Sequence, residues 1–426
     1  MNLKKLVLAF GLVISTVAYS QETENVDTLN WLDQRVTTLE DGLVVVKKLK
    51  VSGYLQAQWE STQSEGTLRV GESRNALTEP GDMNRFGIRR GRLKTTYEDF
   101  GCQGVFELDI NDKSISIKDV YLKVLDPWTN VFSLYGGVFN RPFGYEIPYS
   151  TGSLETPERS RFINTLLTDE RDLGAMLAIQ APKTSIWNPL KLEAGLFAGN
   201  GINRDNDSKK DFIGHLTYVN SVGDFKFGMG TSMYYGFVAQ QSKKIYTMNS
   251  GSSFSVDSTL TNKGAFAKRI YYGIDGQLAF SSVVGITNIR SEFVFGQQPG
   301  AIDASRSPNG SSYTNTGDTY IRNFTGGYIQ FLQDIGTTKH TLLVKYDWYD
   351  PNTKIANDQL GIAGTFTGKG DVAFSTLAFG YHYRMNRNVK LVANYDINVN
   401  ESSTNLSSFK TEKKDNTITL RIQYKF

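Results

Sequence analysis

The chain has 426 residues, 12% of them aromatic, with 40 Gly, 10 Pro and a single Cys. A mean hydropathy of −0.33 excludes a bundle of membrane helices, and one cysteine excludes an internal disulfide. A formal charge of +3 lacks the basic face that a nucleic-acid binder needs, so no nucleic-acid partner is expected. The only long apolar run comes first, in MNLKKLVLAFGLVISTVAYSQ. Lys4 and Lys5 precede an apolar stretch from Leu6 to Val17, and Ala18-Tyr19-Ser20 fits a small-x-small cleavage site. This predicts a signal peptide over 1–20, too short for a spanning anchor. Its removal takes two lysines and lowers the formal charge from +3 to +1.

Residues 21–46 follow a different rhythm. Leu29, Leu32, Val36, Leu39, Leu43 and Val46 alternate spacings of three and four, an a/d heptad. This predicts a short periplasmic, coiled-coil-like helix, either an oligomerising stalk or an amphipathic linker. Gly42 within it costs about 1 kcal/mol of helix stability.

From Lys47 to Phe426 the period is two. In KVSGYLQAQW, Val51, Leu55 and Trp59 share one face while Tyr54, Gln56 and Gln58 share the other. Similar stretches recur about sixteen times, each near ten residues, the length that crosses a bilayer at a tilt. Short turns (Asp99-Phe100-Gly101, DPWTN, NSVGD, DIGTT, RMNRN) alternate with long polar loops, apart from the short link at Asn111-Asp112-Lys113. Loops sorted by parity describe a transmembrane antiparallel β-barrel of the outer-membrane type. The expected fold is therefore all-β, with apolar residues facing lipid and polar ones facing the lumen. Cys102, on the face of Phe106 and Leu108, reads as a small hydrophobe of the wall. The final strand, TITLRIQYKF, carries Ile418, Leu420, Ile422, Tyr424 and Phe426 on one face and closes the cylinder against the first. Trp59, Tyr97, Trp128, Trp348, Tyr424 and Phe426 fit the aromatic girdles of such a barrel. Sixteen strands leave room for an aqueous channel.

Two cationic features bear on what passes. Arg90, Arg92 and Lys94 recur every second residue of the second strand, about 6.7 Å apart, as a row on the lumen wall. Such a row attracts the opposite ion, and arginine suits oxyanions because its fork binds two oxygens. Arg89 has the wrong parity and belongs at a bulge or a subunit contact. The loop 140–170 brings Arg141, Arg159 and Arg161, with Arg171 just after it, alongside Glu146, Glu155, Glu158, Asp169 and Glu170. It either folds inward and narrows the barrel or stays a solvated external loop with weak ion pairs.

The pieces IRRGRLK, IKDVYLKV, LYGGVFNRPFGYE, PERSRF and ERDLG, in that order, resemble the phosphate-selective porin O/P family. Its corresponding pieces look like RRARL, KDAYL, GQFKxPFG, MERS and ERDxG. The resemblance runs from about Lys47 to Gly174 and more loosely beyond. It implies a homotrimer of sixteen-strand barrels with a periplasmic extension, an inward third loop, and basic residues that guide phosphate. Asn140-Arg141 keeps a cation where the family has lysine. The near-neutral charge and acidic loop depart from a strongly anion-collecting channel.

The expected function is passive diffusion of small solutes, anions such as phosphate first, across the outer membrane, with lipids as surrounding partners. A non-selective porin is the alternative. An enzyme acting on lipids would need a nucleophile and a histidine in reach, but His215, His340 and His382 lie on separate predicted strands. A plug-gated transporter would need a longer chain. No metal cluster, dinucleotide fingerprint or phosphate-cradling glycine loop occurs in the sequence, so no cofactor is expected.

Overall fold

The computed structural model describes residues 48–66, 81–205, 207–249, 251–306 and 317–426. The chain divides into two units, Met1–Lys50 and Val51–Phe426. The signal peptide and heptad segment lie outside the described residues.

The described residues form strands β1 (Leu49–Thr62), β2 (Met83–Asp99), β3 (Cys102–Ile110), β4 (Ile115–Leu125) and β5 (Phe132–Asn140). A short helix, α1 (Arg161–Leu166), precedes β6 (Arg171–Gln180), β7 (Leu190–Phe197), β8 (Asp211–Val222) and β9 (Phe225–Ala239). Two four-residue strands, β10 (Ile245–Met248) and β11 (Phe254–Asp257), come next. The series ends with β12 (Phe266–Ser282), β13 (Gly285–Gly300), β14 (Thr319–Asp334), β15 (His340–Asp350), β16 (Phe374–Arg384), β17 (Val389–Asn400) and β18 (Thr417–Lys425). Leaving out β10 and β11, sixteen strands pair in sequence order, and β1 pairs with β18, so the sheet closes into an antiparallel barrel. The closing register runs from Tyr54↔Lys425 to Thr62↔Thr417.

Closure follows from the alternation. Leu55, Ile418, Leu420, Ile422, Leu342 and Val344 are exposed on the outer surface, while Gln56, Gln58, Thr419, Gln423 and Lys345 are buried on the inner one. Cys102 is exposed on the outer face beside Phe106 and Leu108. The turn between β2 and β3 places Phe100 at φ 47° and Gly101 at φ 75°, the two left-handed residues of a hairpin turn that follows the twist of its strands.

Two features differ from the sequence expectation, and a third, at Arg89, decides between its two alternatives. The loop between β9 and β12 carries the β10–β11 hairpin, which adds in parallel to β14 through Ile245↔Thr319 to Thr247↔Ile321. Tyr246 and Tyr320 stack at 4.3 Å beneath Phe254, giving this outer layer its own small core. The alternation of β2 slips by one at Arg89-Arg90, so Arg89 points inward beside its neighbour, which is the bulge. The inner face is not uniformly polar. Met176, Phe197, Ile213, Tyr234, Tyr271, Val294, Phe324, Tyr328 and Tyr349 are buried inside the barrel, in one cluster with residues of the 141–170 loop.

A lipid-facing position in mid-strand should not accept charge. Leu420→Arg, between Trp59 and Ala393 in the wall, should cost about 2–4 kcal/mol if it lies near the midplane. Urea unfolding in lipid vesicles reads this, and an unchanged midpoint would remove lipid from that face.

Candidate functional site

The site grows out of the loop between β5 and β6. At its root Arg141, 1% exposed, donates from Nε to Asp172 at 3.2 Å and from its terminal nitrogen to the Thr168 carbonyl at 3.0 Å. This closes the loop on itself before it crosses the lumen. Phe143, Ile147, Phe162, Ile163, Leu166 and Leu167 then bury against the inward apolar residues of β6–β15. Phe143 meets Tyr271 edge-on, and Phe162 stacks on Tyr328, both at 6.5 Å. Burial of this set supplies most of the loop's attachment, because each large side chain removed from water contributes about 1.5–3 kcal/mol.

Polar contacts fix the register of that packing. Gly144, at φ 61°, passes so close to β13 that a Cβ would lie 1.9 Å from Glu292 Oε1. The backbone N–H groups of Tyr145 and Glu146 donate to Glu292 at 3.2 and 3.0 Å. Lys345 donates to Glu146 at 2.9 Å in a pair almost sealed from solvent. Arg159 fans across the loop's own backbone, donating to the carbonyls of Glu146, Ile147 and Tyr149, and pairs with Glu170 at 2.6 Å.

Beyond this half the loop reaches the opposite wall. Tyr54 bonds Thr151, and Gln56 donates to the Thr151 carbonyl at 3.2 Å. Gln423 donates to the Gly152 carbonyl at 2.9 Å, Lys390 to that of Leu154 at 3.3 Å, and His382 to that of Glu155 at 2.9 Å. The Glu155 carboxylate takes both bonds of Arg290 at 2.8 Å. A segment bonded to β1, β13, β16, β17 and β18 spans the lumen from side to side.

The residues singled out in the sequence fall into three settings. Arg90, Arg92 and Lys94 do line the inner wall as a row, and each faces a carboxylate. Arg90 meets Glu158 at 2.9 Å, and Arg92 meets Glu107 at 2.9 Å and Asp109 at 3.7 Å. Lys94, a third exposed, lies 3.4 Å from Asp119 and 3.6 Å from Glu107. Arg171 joins the same cluster through Asp119 at 3.0 Å and through Glu170. Arg141 and Arg159 are enclosed in the loop's framework. Arg161 lies with its guanidinium 4.2 Å over the Phe374 ring, at a cavity of about 220 Å³ shared with Glu60, Asp347, Asp396 and Asp415. Its backbone N–H donates to Asp347 at 3.3 Å.

The acidic partners Glu107, Asp109 and Asp119 were missed by a reading that looked only for cations. Their signal was present, since Glu107 and Asp109 alternate with the lipid-facing Phe106 and Leu108. The partners from afar, Arg421, Lys345, Lys390 and Arg290, carry no sequence signal, because only the closed barrel brings them to the loop.

No family model matches the sequence, and no curated protein matches it. Solved structures do. The Pseudomonas putida protein OprB superposes with a TM-score of 0.56 at 9% identity, over 93% of this chain and 97% of that one. The trimer form of the Vibrio cholerae outer membrane protein OmpT gives 0.51 at 12% identity, over 89% and 99%. The outer membrane channel DcaP of Acinetobacter baumannii gives 0.50 at 11% identity, over 89% and 97%. At such identities the likeness establishes the shared barrel fold.

Burial alone would push the Glu170 carboxyl up, but the Arg159 and Arg171 guanidiniums hold it well below the usual carboxylate range. A depressed value stabilises the fold above the unfolded pKa of about 4.3, and the contribution fades as pH falls toward the folded value. The difference in thermal midpoint between wild type and Glu170→Gln should therefore be constant from pH 7 to about pH 5 and shrink below about pH 4. A difference that grows on acidification contradicts the pairing.

Proposed function

We propose that this chain is a passive diffusion channel of the outer membrane for small hydrophilic solutes, acting as a homotrimer and not as an enzyme. The observation that carries the reading is a closed sixteen-strand wall, greasy outside, whose wide interior is crossed by a charged loop fixed to both sides. A barrel of this size encloses an aqueous space, and a loop across it sets what passes by size and charge. Phosphate and other small anions remain the solutes favoured by the row of Arg90, Arg92 and Lys94. The carboxylates matched to that row support a second reading, a weakly selective passage in which dipolar solutes move along alternating charges.

The histidines support a non-catalytic role. His215 is engaged with Asp275 at 2.9 Å, His382 with the loop backbone, and His340 with Tyr381 on an exposed edge. The trimer draws support from the short wall formed by β3, β5 and β7, of nine, nine and eight residues against seventeen in β12. Phe106, Ile115 and Leu122 stand well exposed there, a surface that a second copy would cover.

In a planar bilayer the purified protein should conduct ions without added energy or substrate. Changing Arg90, Arg92 and Lys94 together to Gln should move the reversal potential toward cation preference. An unchanged potential removes the row from the pathway, and absence of conductance contradicts the channel.

A further inference from the structure

Glu158 is held differently from every other loop carboxylate described above. Arg89 grips it with two bonds at 2.5 and 2.6 Å, Arg90 adds one at 2.9 Å, and Arg421 approaches to 3.8 Å. The guanidiniums come from two strands, β2 and β18, on either side of β1 at the barrel's closing seam. Two of them reach the carboxylate together only because the alternation slips at Arg89-Arg90. Arg421 also donates to Gln58, which in turn donates to Glu60 at 2.7 Å. The seam thus holds three positive charges against Glu158 and Glu60, both of which line the 220 Å³ cavity. Only Glu158 belongs to the loop. Its side chain keeps 17% exposure, so the carboxylate is not sealed from solvent.

The geometry points to Glu158 as a residue that determines ion specificity: a loop-borne carboxylate that partly offsets an arginine cluster at the barrel seam and moderates the passage's preference for anions. The inference rests on the channel reading. A charge at a narrow point of a low-dielectric wall biases ion entry strongly. Ionised, Glu158 offsets one of the three positive charges of the seam; without it, that charge is uncovered. Burial alone would raise the carboxyl, but Arg89, Arg90 and Arg421 hold it well below the usual range, so the offset persists at neutral pH.

The test is reversal potential across a salt gradient for channels in a planar bilayer. Glu158→Gln keeps the side chain's shape and should raise the anion-to-cation permeability ratio roughly twofold or more. Glu158→Asp should restore most of the wild-type value. Arg421→Gln, with the carboxylate in place, should shift the ratio toward cations, so the assignment stays testable if Glu158→Gln fails to assemble. Glu155→Gln, which takes the carboxylate from one guanidinium, that of Arg290, should shift it less. An unchanged ratio in conducting Glu158→Gln channels, or an equal shift in Glu155→Gln, overturns the assignment. A wild-type protein that conducts nothing contradicts the channel reading instead.

Discussion

Within hydrocarbon no water is available to an unpaired backbone group, so a sheet that crosses a membrane must have no edge. In this chain that requirement is met by one pairing, between the first and last strands. Nine register partners join Tyr54–Thr62 to Thr417–Lys425. Gly53 and Phe426 exchange two further bonds at 3.1 and 3.0 Å. Closure makes an inside and an outside, and a period of two assigns every residue to one of them. A one-residue slip would turn each face over, so the register is strongly specified. The slip at Arg89-Arg90 is tolerated because both arginines find a carboxylate within the lumen, and a second irregularity interrupts the β3–β4 ladder between Phe106 and Leu108.

A cylinder of sixteen strands is wider than its own inward side chains can fill. The loop between β5 and β6 resolves this by bringing a second half of a core. On one side its phenylalanines and leucines meet inward aromatics of the wall, and on the other its backbone carbonyls meet inward polar groups. The charged contacts are expensive to desolvate, and an ion pair buried this way is weak evidence for stability. Their effect here is positional. Each arginine donates in fixed directions from a planar group, so the pairs fix where the loop crosses.

Much of this was legible in the sequence. The sixteen wall strands follow from alternation, and the observed bounds fall within a few residues of it, because the lipid face demands large apolar side chains. The β10–β11 hairpin escaped because IYTM and FSVD are too short to show a period and are bounded by Ser-rich stretches. Helix α1 escaped for a similar reason, with six residues and no capping bond. The inward aromatics were unreadable in principle. Tyr234 and Tyr271 look like any strand tyrosine until the loop supplies the partners that make an inward ring favourable. Within the candidate site the cation row was visible and its neutralisation was not, since Glu158 lies 68 positions from Arg90.

The account depends on strand faces that alternate between lipid and lumen, and spin labels report this most directly. Single cysteines along 417–425, in a Cys102→Ser background and reconstituted into bilayers, would carry the labels. Collision with oxygen, which concentrates in hydrocarbon, should rise at Ile418, Leu420, Ile422 and Tyr424 and fall at Thr417, Thr419, Arg421 and Gln423. A profile without that two-residue period, or one with its maxima on the odd positions, would contradict the barrel as described.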